Sequence, residues 1–256
     1  MVTCVFFHAH PDDEALLTAG TMARLSSEGH RVVLVVATAG EAGLVADGGN
    51  PGVLRRAELR SSAALLGCDR LVELGYPDSG LSGSPTGFSA HDPHEVARRL
   101  ADVLHEEEAR MLTSYDPNGG YGHPDHRQVH RVATLAAKLA RTPILLEATV
   151  DRTWYARGLK AARVAGVKVP PDTGQVYSSS SEITHRVDVR PWLAEKRASM
   201  AAHASQASSR GGDTRTLAVL LRLPRPLFRL ALGTEWYVRR EMLAGSRMTH
   251  PLAELC

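Results

Sequence analysis

The 256-residue sequence predicts an α/β fold, a mostly parallel sheet with helices on both faces, followed by a less regular C-terminal subdomain. Three observations carry that expectation. Short apolar runs alternate with segments of helical periodicity through residues 1–150. The run Val32-Val33-Leu34-Val35-Val36 is unbroken and β-branched, as a strand buried on both faces requires. The intervening segments are long enough for helical crossovers, which make neighbouring strands parallel.

Residues 3–7 form the first strand, and residues 13–27 carry Ala15, Leu16, Ala19, Met22, Ala23 and Leu25 at helical spacing. Residues 31–38 are the second strand, and 54–66 a helix stopped by Gly67, a residue suited to a left-handed cap. Strand 70–74, helix 93–107, strand 111–114, helix 124–140 and strand 144–149 complete a Rossmann-like series. Ligands of such sheets bind beyond the carboxyl ends of the strands, so the chemistry is expected after strands 3–7 and 111–114. The Gly- and Pro-rich loops 40–51 and 76–93 are placed to wall a pocket. Beyond residue 150 the pattern weakens, with a polar tract at 178–181 and a turn-like stretch at 208–213. Residues 217–232 are apolar with Arg222, Arg225 and Arg229 interleaved. Pro224 and Pro226 interrupt that stretch, so it reads as a packing segment, pocket lid or subunit contact rather than a membrane-surface helix. The chain reads as one domain, 1–256, in which 1–150 carries the site and 151–256 completes the pocket.

With 30 basic and 28 acidic residues the formal net charge is +2, which offers no strong field to nucleic acid or an anionic membrane. The cysteines, Cys4, Cys68 and Cys256, lack paired spacing and fit a reducing compartment. No apolar run approaches the ~18 residues of a membrane span, and the opening residues lack the basic region of an export signal. A cytoplasmic protein acting on a small molecule is expected, without nucleic acid or stable membrane association. A homo-oligomer is compatible with this reading.

One tetrapeptide pattern occurs twice, as His10-Pro11-Asp12-Asp13 after the first strand and His123-Pro124-Asp125-His126 after strand 111–114. Each precedes a helical pattern. Proline disfavours the α conformation in the residue before it, so His10 and His123 should be the last non-helical residues. Pro11 and Pro124 should then open the helices, with Asp12, Asp13 and Asp125 in the first turn. Zinc takes imidazole and carboxylate ligands and, when catalytic, keeps a position for water. His10, Asp13 and His126 supply such a set, and Asp12 is left as general base. Simple helix capping accounts for one Pro-Asp pair but not for two matched clusters. A non-heme iron oxygenase uses the same ligand types, though with His-x-Asp spacing on a β-rich scaffold.

Ala9-His10-Pro11-Asp12-Asp13-Glu14 and the run from Tyr115 to His126, which contains Gly119-Gly120-Tyr121-Gly122-His123, resemble the PIG-L/LmbE-like deacetylase family. The second motif is most similar to the family's mycothiol-pathway deacetylases and S-conjugate amidases. Arg55-Arg56-Ala57-Glu58-Leu59, Gly75-Tyr76-Pro77-Asp78-Ser79-Gly80-Leu81 and, more weakly, Lys196 with His203-Ala204-Ser205-Gln206 extend the match. The resemblance implies a zinc-dependent N-deacetylase or amidase, with ferrous iron or another divalent metal as alternatives. It implies removal of an N-acetyl group from an amino-sugar conjugate by a metal-activated water, with His10, Asp13 and His126 as ligands and Asp12 as base. It further implies that His123 stabilises the tetrahedral intermediate as an imidazolium, that Asp125 holds and charges its ring, and that Tyr121 assists at the carbonyl or leaving amine. Arg55 and Asp78 match substrate-binding positions. An S-conjugate amidase or a tailoring deacetylase of a natural-product glycoside is the alternative reading. Outside these motifs, His8 reads as a satisfied core histidine, His203 as a candidate for lining the pocket, and Glu14 as a candidate partner for a ligand histidine.

Overall fold

The computed structural model describes residues 1–42, 51–164, 166, 176–207, 216–243 and 245–253. The chain enters as β1 (Thr3–His8), continues through α1 (Asp13–Leu17) and α2 (Ala19–Ser27), and returns as β2 (Arg31–Thr38). It goes on through α3 (Pro51–Leu65), β3 (Arg70–Tyr76), α4 (Pro93–Glu106), β4 (Ala109–Tyr115), α5 (Pro124–Ala140) and β5 (Ile144–Thr149). The C-terminal portion supplies α6 (Arg152–Val164), β6 (His185–Asp188), α7 (Leu193–Ala202), α8 (Ala204–Ala207), α9 (Thr216–Leu221), α10 (Arg225–Leu232) and β7 (Thr234–Val238).

The sheet runs β3-β2-β1-β4-β5-β7-β6. The first five strands pair in parallel, and β7 joins β5 and β6 antiparallel. Alternation along β1 explains the two layers of core. Val5 and Phe7 pack with Val96, Leu100, Val129 and Val132 of α4 and α5, whereas Cys4 and Phe6 pack with Met22, Leu25 and Leu59 of α2 and α3. Both faces of the central strands are therefore dry, which is why β2 is apolar without alternation. The order reverses between β1 and β4, and the crevice at their carboxyl ends is where sheets of this kind bind ligands.

The expected strands and helices of the first 150 residues are present, with one correction. Helix 13–27 is two helices, broken at Thr18. A continuous helix would bond the Gly20 N–H to Leu16 O. Instead Gly20 N–H donates to Glu235 Oε1 (2.8 Å), Thr21 N–H donates to Glu235 Oε2 (2.8 Å), and Leu16 O accepts from Lys196 Nζ (2.9 Å). Lys196 and Glu235 pair with each other at 2.6 Å, fully buried. The ion pair thus enters the helical ladder and satisfies what it opens. Both residues lie in the portion that looked irregular in sequence, where β6 and β7 in fact complete the sheet. Residues 217–232 split at Pro224 into α9 and α10, and Leu217 and Phe228 pack on Ala15 and Met200. Residues 43–50 of the loop 40–51, the stretch 208–213 and Cys256 lie outside the described residues. Among the described residues no helix is long and apolar enough to cross a membrane.

Lys196→Met would leave Glu235 charged and buried, with an expected loss of about 3 kcal/mol in denaturant unfolding. The other stability test is pH. Burial, reinforced by Arg239 and His250, lowers His185 from 6.5 to about 4. The unfolded chain takes up that proton first, so stability falls as pH drops from about 6.5 towards 4. Unfolding curves at pH 7 and pH 5 should show a smaller difference for His185→Gln than for the unsubstituted protein.

Candidate functional site

Three segments meet at the carboxyl edge of β1 and β4. His10 leaves β1 after Ala9, Asp13 opens α1, and His123 with His126 stands at the start of α5. His123 caps α5 in an extended conformation (φ −60°, ψ 134°) and Pro124 is its first residue, as the sequence predicts. The first tetrapeptide departs from the expectation. Pro11 does not open a helix, and Asp12 sits at φ 107° and ψ −22°, a left-handed conformation rare for a residue with a side chain.

Asp13 joins the two segments. Its Oδ2 accepts from the backbone N–H of His10 (2.9 Å) and the hydroxyl of Tyr115 (2.8 Å), and lies 3.4 Å from His10 Nδ1. Its Oδ1 lies 3.3 Å from His126 Nε2. The rings of His10 and His126 are 5.5 Å apart, and ring nitrogens of His10, His123 and His126 fall within 4.8 Å of one another. All four side chains are buried. His126 Nε2 has no hydrogen-bond partner although it is shut off from solvent. A buried lone pair left over beside a carboxylate and a second imidazole fits a divalent cation, and this donor set suits zinc or ferrous iron.

The surrounding groups prepare that arrangement. Burial works against charge on His10, but Asp125, Asp13 and Asp78 outweigh it and raise its pKa well above the usual value. Burial likewise opposes ionisation of Asp13, and His126 and His10 overcome it, holding the carboxyl well below its usual range. The same field favours a bound cation. Asp125 Oδ2 lies 3.0 Å from His10 Nε2 and accepts Ser79 N–H at 3.0 Å. An Nε2–H held by Asp125 leaves His10 Nδ1 on the Asp13 side, an arrangement in which a carboxylate fixes the orientation of the ring.

This differs from the expected role of Asp125 on the ring of His123. What Asp125 gives His123 is its backbone N–H, donated to Nδ1 at 3.2 Å. An Nδ1 that accepts a hydrogen bond puts the ring proton on Nε2. Burial, with His10 and His126 nearby, lowers His123 to about 4. Both the accepted bond at Nδ1 and the lowered pKa favour the neutral ring, whereas the family resemblance implies an imidazolium. Tyr121, half exposed, covers the pair, its ring 6.1 Å from His123 and 5.2 Å from His126.

Asp12 faces Arg55, whose guanidinium lies 3.3 Å from Oδ1 and donates to Gly40 O (2.8 Å) and Pro11 O. Gly40 is required there, because a Cβ would come within 2.5 Å of the guanidinium at a φ of +68°. Arg56 points away and pairs with Glu73 at 2.6 Å. Burial pushes the Asp12 carboxyl up to about 6, against the pull of Arg55. Asp78 Oδ1 stands 3.3 Å from His10 Nε2 and accepts Gly80 N–H at 2.9 Å.

Several residues of the site escape sequence reasoning. His8 is a buried core histidine, yet it reaches the centre: Thr18 Oγ1 is 2.8 Å from its Nε2, and its Nδ1 is 3.1 Å from Tyr115 OH. Since the tyrosine proton goes to Asp13, His8 Nδ1 must be the donor to Tyr115. Asp116, fully buried, accepts from Asn118 N–H, Gly120 N–H and the Thr149 hydroxyl, which shapes the loop carrying Tyr121. Tyr115 and Asp116 stand inside the second quoted motif and His8 just before the first, so position was available but role was not. His203 does not line the pocket. It is fully buried, with Nε2 at 2.6 Å from Glu14 Oε1, and among the described residues the Glu14 carboxylate bonds Asp12 N–H, Ser62 and His203 rather than His10 or His126.

Comparison with known proteins agrees with this geometry. The family model described as "PIG-L: GlcNAc-PI de-N-acetylase" matches residues 5–137, which include all the residues of the centre. A 1D-myo-inositol 2-acetamido-2-deoxy-alpha-D-glucopyranoside deacetylase of Acidothermus cellulolyticus is 34% identical, over 90% of this chain and 86% of its own. N,N'-diacetylchitobiose deacetylase from Pyrococcus horikoshii has the same fold, at a TM-score of 0.60 and 22% identity, over 99% of this chain and 88% of its own. GalB, a 4-carboxy-2-hydroxymuconate hydratase, also shares the fold, at a TM-score of 0.58 and 16% identity, over 95% of this chain and 100% of its own. Fold alone therefore does not select the reaction. Sequence does, since the match covers both motifs of the centre, and the chain belongs to the PIG-L family of de-N-acetylases.

Proposed function

We propose that the chain removes an N-acetyl group from a glucosaminyl conjugate, with zinc held by His10, Asp13 and His126. The observation that carries this reading is that Asp13 stands between two imidazoles, Oδ2 3.4 Å from His10 Nδ1 and Oδ1 3.3 Å from His126 Nε2, with the buried His126 Nε2 making no hydrogen bond. The relative from Acidothermus cellulolyticus bears the name of a deacetylase of an N-acetylglucosaminyl-inositol, which supports a sugar of that kind. When bound, the metal supplies a Lewis acid for the acyl oxygen and lowers the pKa of a water towards ~7.

The remaining work belongs to the protein. Asp12, held by Arg55 beside the centre, accepts a proton from the attacking water. His123, with Nδ1 occupied by the Asp125 N–H, presents Nε2–H to the oxygen that becomes negative, a donor worth about 3 kcal/mol in such sites. Asp125 orients His10, and Tyr121 covers the acyl group from the solvent side, its hydroxyl available to the carbonyl or the departing amine. Asp78 and Arg55 stand as the sugar-facing pair, and the grip of Arg55 on Asp12 makes it a brace for the base as well. Residues 151–256 brace this centre from behind, Lys196 at the end of α1 and His203 on Glu14. The near balance of charge and the free Cys4 and Cys68 support a cytoplasmic location.

The metal-replete protein should release free amine from N-acetylglucosaminyl-inositol with kcat/KM at least about tenfold above that for free N-acetylglucosamine, because binding of the inositol supports the chemical step. A thiol S-conjugate amide and an N-acyl glycopeptide sugar belong in the same assay. Preference for either would replace the substrate named here. Separately, Asp12→Ala should keep one metal per chain and lose ~10³-fold in turnover, whereas His126→Ala should lose both. Elemental analysis of the purified variants decides this, and a metal-free Asp12→Ala protein contradicts the assignment of roles.

A further inference from the structure

We propose that the buried Glu14–His203 pair is a positioning device that holds Asp12 in its left-handed conformation and so aims the general base. The inference rests on the assignment of Asp12 as proton acceptor. A non-glycine residue at φ 107° is strained and persists only where its surroundings over-determine it. Three contacts do so. The Asp12 N–H donates to Glu14 Oε2 at 3.0 Å, its carbonyl accepts Ala15 N–H at 3.2 Å, and its Oδ1 meets Arg55 at 3.3 Å.

Of these, the first fixes the backbone at the strained residue itself. Glu14 is fully buried, and its other oxygen is tied by Ser62 Oγ (2.6 Å) and His203 Nε2 (2.6 Å). Ser62 is bonded in turn to Ser199 of α7 at 2.7 Å. His203 is held from behind, because Glu58 of α3 accepts the Ser205 N–H and hydroxyl at 2.7 Å each, anchoring the start of α8. Met200 of α7 packs with Ala15 of α1, which keeps the two segments in register. A chain of short bonds therefore runs from the C-terminal portion through His203 and Glu14 to the peptide N–H of the base. Among the described residues, no hydrogen bond of this chain of groups reaches the side chains of His10, Asp13 or His126, so its effect on the reaction is read through Asp12.

Steady-state kinetics and metal content of the full chain test this. His203→Ala should lower kcat at least about tenfold, a common effect of losing such a supporting partner, with KM within about twofold and metal retained. His203→Gln, whose amide can still donate to Glu14, should restore most of the rate. In an Asp12→Ala background, His203→Ala should cost nothing further, because the group it positions is gone. An equal loss in that background, or an unchanged kcat in His203→Ala, overturns the proposal. Stability gives a readout independent of any substrate. Glycine tolerates φ 107°, so Asp12→Gly should unfold at higher denaturant than Asp12→Ala, and the gap should close when His203→Ala is added. Persistence of the gap refutes the clamp. Absence of turnover on every N-acetylglucosaminide would instead count against the proposed function, leaving the stability comparison to judge the clamp.

Discussion

The contact between Asp13 and the imidazoles on either side of it is the constraint from which the site is built. Asp13 opens the helix that follows β1 and His126 stands in the first turn of the helix that follows β4, and no local sequence interaction brings them within 3.3 Å. Parallel pairing of β1 with β4 does, at the one place in the sheet where the strand order reverses. Once there, the carboxylate is divided between two tasks. Oδ2 is spent on the His10 N–H and the Tyr115 hydroxyl, which fixes the plane of the group. Oδ1 is left facing His126, where a cation would use it.

Such an arrangement concentrates acids in a buried space, and the fold offsets the cost in two ways. Asp125, Asp78 and Asp13 surround the single imidazole of His10, and N–H groups of His10, Ser79 and Gly80 with the Tyr115 hydroxyl donate to the carboxylates that one imidazolium cannot neutralise alone. Further out, the Lys196–Glu235 pair ends the first helix after five residues and starts the next with its own donors and acceptors. A short α1 is what lets Asp13 and Glu14 turn inward together, since a helix continuing through Thr18 would direct that segment along the sheet. Buried ion pairs contribute little net stability compared with apolar packing. Here the pair's contribution is geometric, placing a helix end where the chemistry needs it.

The core of the fold was legible because both signals that specify it are local. The unbroken apolar run of β2 and the helical spacing in α5 each follow from burial of a single element, and each appears where expected. Convergence of His10, Asp13 and His126 was legible for a different reason, namely that two similar tetrapeptides followed two strands of one sheet. The break at Thr18 was not, because its cause lies in Lys196 and Glu235, some 180 and 215 residues away along the chain. Roles of Glu14, Tyr115 and Asp125 were hidden for the same reason. Each is named in a motif, but a carboxylate's partner is decided by which donor the fold brings to it. Strands β6 and β7 were missed because they are short and joined to the sheet only through β5.

The two His-Pro-Asp elements make the point most sharply, because they read alike and fold differently. At the second, His123 caps α5 with its own Nδ1 and the proline opens the helix without strain. At the first, the same start would place Asp12 and Asp13 one after the other on a helical turn, about 100° apart, as Asp125 and His126 stand at the second. The reversed backbone at Asp12 replaces that start. Asp13 can then open the helix toward the imidazoles while Asp12 turns to Arg55, and the strain of φ 107° is the cost of separating two adjacent carboxylates into a ligand and a base. A local rule is broken at the residue proposed as general base, and functional sites are where such exceptions are expected.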